Sequence, residues 1–164
     1  VPNMPEITSS VRHVQEINVL LQPNDKHYRT FPELTFIIEK YERSLLARTD
    51  NGYMYFTWPN SNEDFIHLLA RIDKDYMLTK MSNRSVFQPK ETVKRLKQLR
   101  PELSQTLDEL ERIPAAYPFT EQYLSLPGTH SDDIEAFIWD YPEAHKAIAD
   151  VFMEYVQPML KNQN

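Results

Sequence analysis

Cysteine is absent from this 164-residue sequence, and glycine occurs only twice, at Gly52 and Gly128. Without thiols there is no disulfide, no thiolate nucleophile and no cysteine-based zinc or iron–sulfur centre. A loop that cradles phosphate needs several glycines within a few residues, because backbone N–H groups must approach the anion closely. Two distant glycines build neither a dinucleotide-binding fold nor a P-loop. No apolar run approaches the roughly 18 residues that cross a bilayer, so no membrane partner is expected. The opening VPNMPEITSS has neither the basic nor the apolar region of a secretory signal. It also lacks a starting Met, which reads as processing or as a fragment of a longer chain. A soluble protein, cytoplasmic by default, is the expectation, built as a single helical domain over residues 1–164.

What the sequence does have is proline and aromatic rings: twelve Pro, nine Tyr, eight Phe and two Trp. Most prolines stand where a helix begins or has just ended. Thr30 and Glu33 resemble a capping box, and Leu34, Ile37, Ile38, Tyr41 and Leu45 recur at helical spacing to about Arg48. Asp50-Asn51-Gly52 makes a turn, and YMYFTW (Tyr53 to Trp58) is a short strand or apolar loop. Ser61 and Asp64 open a helix to about Lys80. Pro89 starts another that stops at Arg100, since the residue before Pro101 disfavours helix. Further helices are expected over 101–113, at Thr120 to Leu124, from Ser131 to Trp139 and after Pro142, with a first one around Val11 to Leu21. The fold expected is all-α: a compact, irregular bundle of six to eight helices with at most a minimal β element near residues 53–58.

Charge is unevenly distributed within a net of −6. Residues 71–100 hold nine basic and three acidic side chains, whereas residues 101–164 hold three and twelve. Such asymmetry bears on partners rather than on fold. In QPKETVKRLKQLRPE, Lys90, Lys94 and Lys97 share one helix face opposite Val93, Leu96 and Leu99. The ordinary reading is a solvated face, paired in part with the acidic C-terminal third. The sharper one is a phosphate-contacting stripe of Arg71, Lys74, Lys90, Lys94, Arg95, Lys97 and Arg100. A net-acidic chain is repelled by a polyanion at long range, and no zinc-finger, RNA-recognition or helix-turn-helix pattern accompanies the stripe.

The remaining motifs carry little chemistry. His67 lies one helical turn from Glu63 and Asp64, but no second helix offers matching ligands and HExxH is absent; His145 near Glu143 is no stronger. No metal and no cofactor is expected. THSDD (Thr129 to Asp133) holds a histidine, two hydroxyls and two carboxylates, yet these are the residues that begin a helix after a glycine turn. No catalytic residue is nominated. Trp58 and Trp139 lie at the ends of elements and are the aromatic residues expected as contacts.

The function expected is a non-enzymatic, regulatory, adaptor or inhibitor-type module. It would hold another protein through a charge-segregated surface that includes Asp132, Asp133, Glu135, Trp58 and Trp139. The alternative is a nucleic-acid-binding domain of a larger replication or processing protein, using the basic segment. A hydrolase whose site assembles only in three dimensions ranks third. Oligomeric state is not legible.

Overall fold

A computed structural model describes residues 5–163. In chain order the elements are β1 (Gln15–Leu20), β2 (Glu33–Glu39), β3 (Ser44–Thr49), β4 (Gly52–Thr57), α1 (Phe65–Arg71), α2 (Lys74–Met81), β5 (Val86–Phe87) and α3 (Pro89–Leu99). A 3-10 turn (Pro101–Leu103), α4 (Ser104–Leu110), α5 (Ala116–Leu124), a second 3-10 turn (Ser131–Ala136), β6 (Trp139–Asp140) and α6 (Glu143–Val151) follow. A π-helical turn (Phe152–Val156) and α7 (Gln157–Lys161) complete the chain. The fold is therefore mixed α/β, which overturns the all-α expectation.

The chain divides into two compact units: Val1–Ser82 with Ala147–Asn164, and Asn83–Lys146. In the first, β1 to β4 form one antiparallel sheet in sequential order, with β1 and β4 at its edges. The register shows why strands form here. Ile17, Phe36, Ala47 and Met54 stand in one cross-strand row, with Leu34, Ile38 and Leu45 on the same face. All seven are at most 9% exposed. The apolar spacing from Leu34 to Leu45 that fits a helix fits alternation equally well, through Leu34, Phe36 and Ile38 and then Leu45 and Ala47. The polar interruption KYER is the hairpin turn, not the wet side of a helix.

That turn is held by two buried charged residues. The Glu39 carboxylate accepts from the backbone N–H groups of Tyr41 and Glu42. Arg43, at φ 55°, sends its guanidinium to the carbonyls of Pro59 (3.0 Å) and Glu63 (2.6 Å) and lies over the Phe65 ring. The first expected helix is likewise a strand, with Ile17 and Leu21 buried and Glu16, Asn18 and Leu20 exposed.

Helices cover the inner sheet face. Asp64 and Asp73 cap α1 and α2, breaking at Ile72–Asp73 what the periodicity reads as one helix. Phe152 meets Phe36 at 5.6 Å between centroids. The π-helical turn around it precedes Pro158, which has no N–H to offer. Gln157 is buried, and its Nε2 donates to the carbonyls of Leu69 (3.2 Å) and Ile72 (2.6 Å), closing the end of α1.

The second unit is a small helical cluster around Phe87, Val93, Leu96, Leu107, Leu110, Phe119, Tyr123 and Phe137. Its α3 begins at Pro89 and ends at Leu99, as Pro89 and Pro101 dictate. The helix expected over Ser131 to Trp139 is instead a 3-10 turn followed by β6, which pairs with β5. Thr92 Oγ1 accepts from the Ile138 N–H (2.9 Å), and the Ile138 carbonyl accepts from the Gln88 N–H (2.9 Å), so this stretch satisfies its backbone across the unit.

Candidate functional site

A groove of about 670 Å3 lies in the first unit. One wall is Ile17 to Gln22 of β1 and the chain after it. The opposite wall is Glu154, Tyr155 and Met159 on the π-helical turn and α7, and residues Asn24 to Lys26 close one end. Among the described residues β1 pairs only with β2, so it is an edge strand whose other side has no strand partner there. At the opposite edge, α2 packs against β4 and the Lys80 ammonium lies over the Phe56 ring.

Apolar side chains gather at the open edge without cover: Leu20 is 69% exposed, Val14 50%, Tyr155 41% and Met159 36%. Two of the site's polar groups face each other. The Tyr155 hydroxyl donates to Asp25 Oδ2, and the Asp25 carboxylate also accepts from the His27 N–H at 2.8 Å. These bonds hold the Asp25 carboxyl below its usual range, the tyrosine contributing most, and push the Tyr155 phenol up to about 12. The groove offers edge-strand backbone and apolar side chains side by side.

The profile of the Phage_phiTE_072 family, described as a phage family, matches residues 23–162. The chain belongs to this family. No curated protein and no solved structure matches it.

In this Phage_phiTE_072 chain the basic segment 71–100 is split by the boundary between units at Ser82 and Asn83. Arg71 and Lys74 lie in the first unit. Arg71 forms a two-pronged pair with Glu63 (2.6 and 2.7 Å), and Lys74 pairs with Asp150 (2.6 Å). In the second unit Lys97 pairs with Asp108, and Arg100 meets Asp133 at 3.2 and 3.3 Å. The acidic C-terminal third thus neutralises three of these cations internally. Lys90, Lys94 and Arg95 are exposed on α3 and make no ion pair among the described residues. Leu99, assigned to the apolar stripe, is 52% exposed, while Thr92 is fully buried.

Asp133 is an internal hub. It accepts from the buried Tyr123 hydroxyl (2.8 Å), the His130 N–H (3.0 Å) and Arg100. The His130 amide and the tyrosine lower its carboxyl to about 2, while burial and Asp133 push Tyr123 up to about 12. Asp132 and Glu135 remain exposed on the same turn. Trp58 lies in the first unit's core at 4% exposure, with Nε1 donating to the Tyr76 hydroxyl (3.2 Å). Trp139 keeps 39% exposure while packing on Phe87 at 5.4 Å. Among the described residues no three His, Asp or Glu side chains gather at metal-binding distance, and no helix is long and apolar enough to cross a membrane. Of the groove residues, Leu20 was not singled out by the sequence, and Tyr155 and Met159, which fall on the inward stripe of the helix expected after Pro142, are instead 41% and 36% exposed. The alternation Ile17-x-Val19-x-Leu21 was the local signal of the strand, whereas its place at an edge is set by the pairing order.

Proposed function

We propose that this chain is a non-enzymatic protein-binding module of the regulatory, adaptor or inhibitor kind, acting in the cytoplasm. Its binding surface is the open edge of β1. The observation that supports this is the coincidence of an unpaired strand edge with a groove and uncovered apolar side chains, Leu20, Tyr155 and Met159. Native proteins commonly cover, charge or shorten such edges, and an edge left open and apolar is a template for an extended partner segment. Asp132, Glu135 and Trp139 are exposed in the second unit and serve at most as rim contacts, because exposed charges contribute little to affinity.

The test is site-specific photo-crosslinking in cells that express the chain, with the reactive residue at Leu20 and, as control, at Tyr117, which is 75% exposed in the second unit. A discrete protein adduct at Leu20 and none at Tyr117 is expected. No adduct at Leu20 would end the reading.

A nucleic-acid reading retains one supporting observation: Lys90, Lys94 and Arg95 are exposed on α3 with no ion pair among the described residues. Three phosphate contacts give a slope of log affinity against log salt of about −2.7 for duplex DNA. A chain that shifts no single- or double-stranded probe at about 50 mM salt would exclude it.

A further inference from the structure

We infer that Asn83–Lys146 is a self-contained insert that opens and closes cooperatively while the sheet unit stays folded. The sheet unit gives up its chain after Ser82 and resumes it at Ala147. Near the two ends of the insert, β5 and β6 pair antiparallel, Val86 with Asp140 and Phe87 with Trp139. Antiparallel partners stand about 5 Å apart between Cα atoms, so the insert begins and ends side by side. The Gln88 N–H donates to the Ile138 carbonyl at 2.9 Å and the Ile138 N–H to Thr92 Oγ1 at 2.9 Å, which continues the seam into α3. Adjacent ends are what allow one domain to interrupt another without distorting it.

The insert also satisfies its own apolar and polar groups. Phe119 is fully buried and meets Phe87 at 4.9 Å and Phe137 at 5.2 Å between ring centroids, and Leu107 is fully buried in the same cluster. The ion pairs Lys97–Asp108, Arg100–Asp133 and Lys146–Asp140 each close within residues 83–146. The sheet unit likewise uses its own residues to cover Phe36 with Phe152, to satisfy the Leu69 and Ile72 carbonyls with Gln157, and to pair Lys74 with Asp150. A chain of about 60 residues is long enough to fold alone without a disulfide or a metal. α6 runs across the boundary, but only its first turn, Glu143 to Lys146, belongs to the insert. There the Lys146 N–H bonds to the Pro142 carbonyl (3.1 Å), and the first N–H groups of any helix lack intrahelical partners. Opening the insert therefore frays α6 by one turn and leaves Ala147–Val151 helical.

The experiment is hydrogen exchange of the full chain, read by mass spectrometry, because amides in separately opening units exchange at separately perturbable rates. Leu107→Ala removes buried methyl groups from the insert and Leu45→Ala removes them from the sheet unit; both leucines are fully buried. Each variant should speed exchange at least about thirtyfold in its own unit and less than about twofold in the other. Thr92→Val and Gln157→Leu delete polar contacts rather than core volume, so they keep the test open where a cavity prevents folding. For these the expected acceleration is at least about fivefold, again confined to the mutated unit. Acceleration restricted in this way supports the insert as an independent unit. Equal acceleration in both units, loss of the insert's protection whenever the sheet unit opens, or no acceleration within the mutated unit would each overturn the inference.

Discussion

Replacing Asp133 with Asn tests whether this carboxylate is interior structure or a surface charge. Asn keeps an acceptor for the Tyr123 hydroxyl or the His130 amide but turns a donor toward Arg100, which already donates to Asp133 at 3.2 and 3.3 Å. A hydrogen bond to a charged partner contributes about 1.5–3 kcal/mol. The carboxyl is independently lowered from 3.8 to about 2 by its amide and hydroxyl donors. At about 1.4 kcal/mol per pH unit, and discounted because solvent reaches the Arg100 side, that shift gives roughly 2 kcal/mol. Because the folded-state value is depressed, this stability is fully present above pH 3.8 and disappears as pH falls through about 2. Urea titration should show the variant destabilised by about 2 kcal/mol at neutral pH, with the gap closing between those two values. Asp132→Asn, on the exposed neighbour, should cost less than about 0.5 kcal/mol. Equal losses for the two variants, or a gap that does not change with pH, would refute the assignment of Asp133 as a hub.

Other consequences are as direct. Tyr123 and Tyr155 are both pushed up to about 12, so Tyr123→Phe and Tyr155→Phe should each remove amplitude from the last step of an alkaline absorbance titration. The stability linked to Tyr123, whose folded value is raised, is complete below pH 10 and fades as pH rises through about 12. Gln157→Leu strips the Leu69 and Ile72 carbonyls of a buried donor and should cost about 2 kcal/mol by chemical denaturation, with Gln157→Glu worse because it sets acceptor against acceptor. Gly52 lies at φ +138° with empty space where a Cβ would stand, so Gly52→Ala should cost about 1–2 kcal/mol through backbone strain alone, read as a lowered melting temperature.

Where chain direction is enforced by local chemistry, the sequence was readable. Pro89 and Pro101 bracket α3, Asp64 caps α1, and Asp50-Asn51 turns β3 into β4. What failed was the choice between two periods. Leu34 to Leu45 satisfies both a helix and a hairpin, and the hairpin wins through contacts distant in sequence: Arg43 with the carbonyls at 59 and 63, and Phe36 with Phe152. Neither is visible in a local window. The cluster Thr35-Phe36-Ile37-Ile38, β-branched and aromatic, was the local hint toward a strand. Site legibility followed the same division. The basic face of α3 could be drawn from helical spacing, but its neutralising partners Asp108 and Asp133 could not. The β1 edge could not be sought until β1 itself was known to be a strand.

The first unit is discontinuous: its sheet is complete by Thr57, yet Phe152 and Gln157, which cover Phe36 and close α1, come after the whole of the second unit. Synthesis delivers residues in order, and domains generally fold as they emerge. Asn83–Lys146 is thus free to collapse early, while the strands and α1 and α2 before it wait with the part of their greasy face around Phe36 still open for the last segment to arrive. That interval is when this polypeptide is most exposed to misassembly, and a truncation before residue 152 would make the vulnerable intermediate permanent.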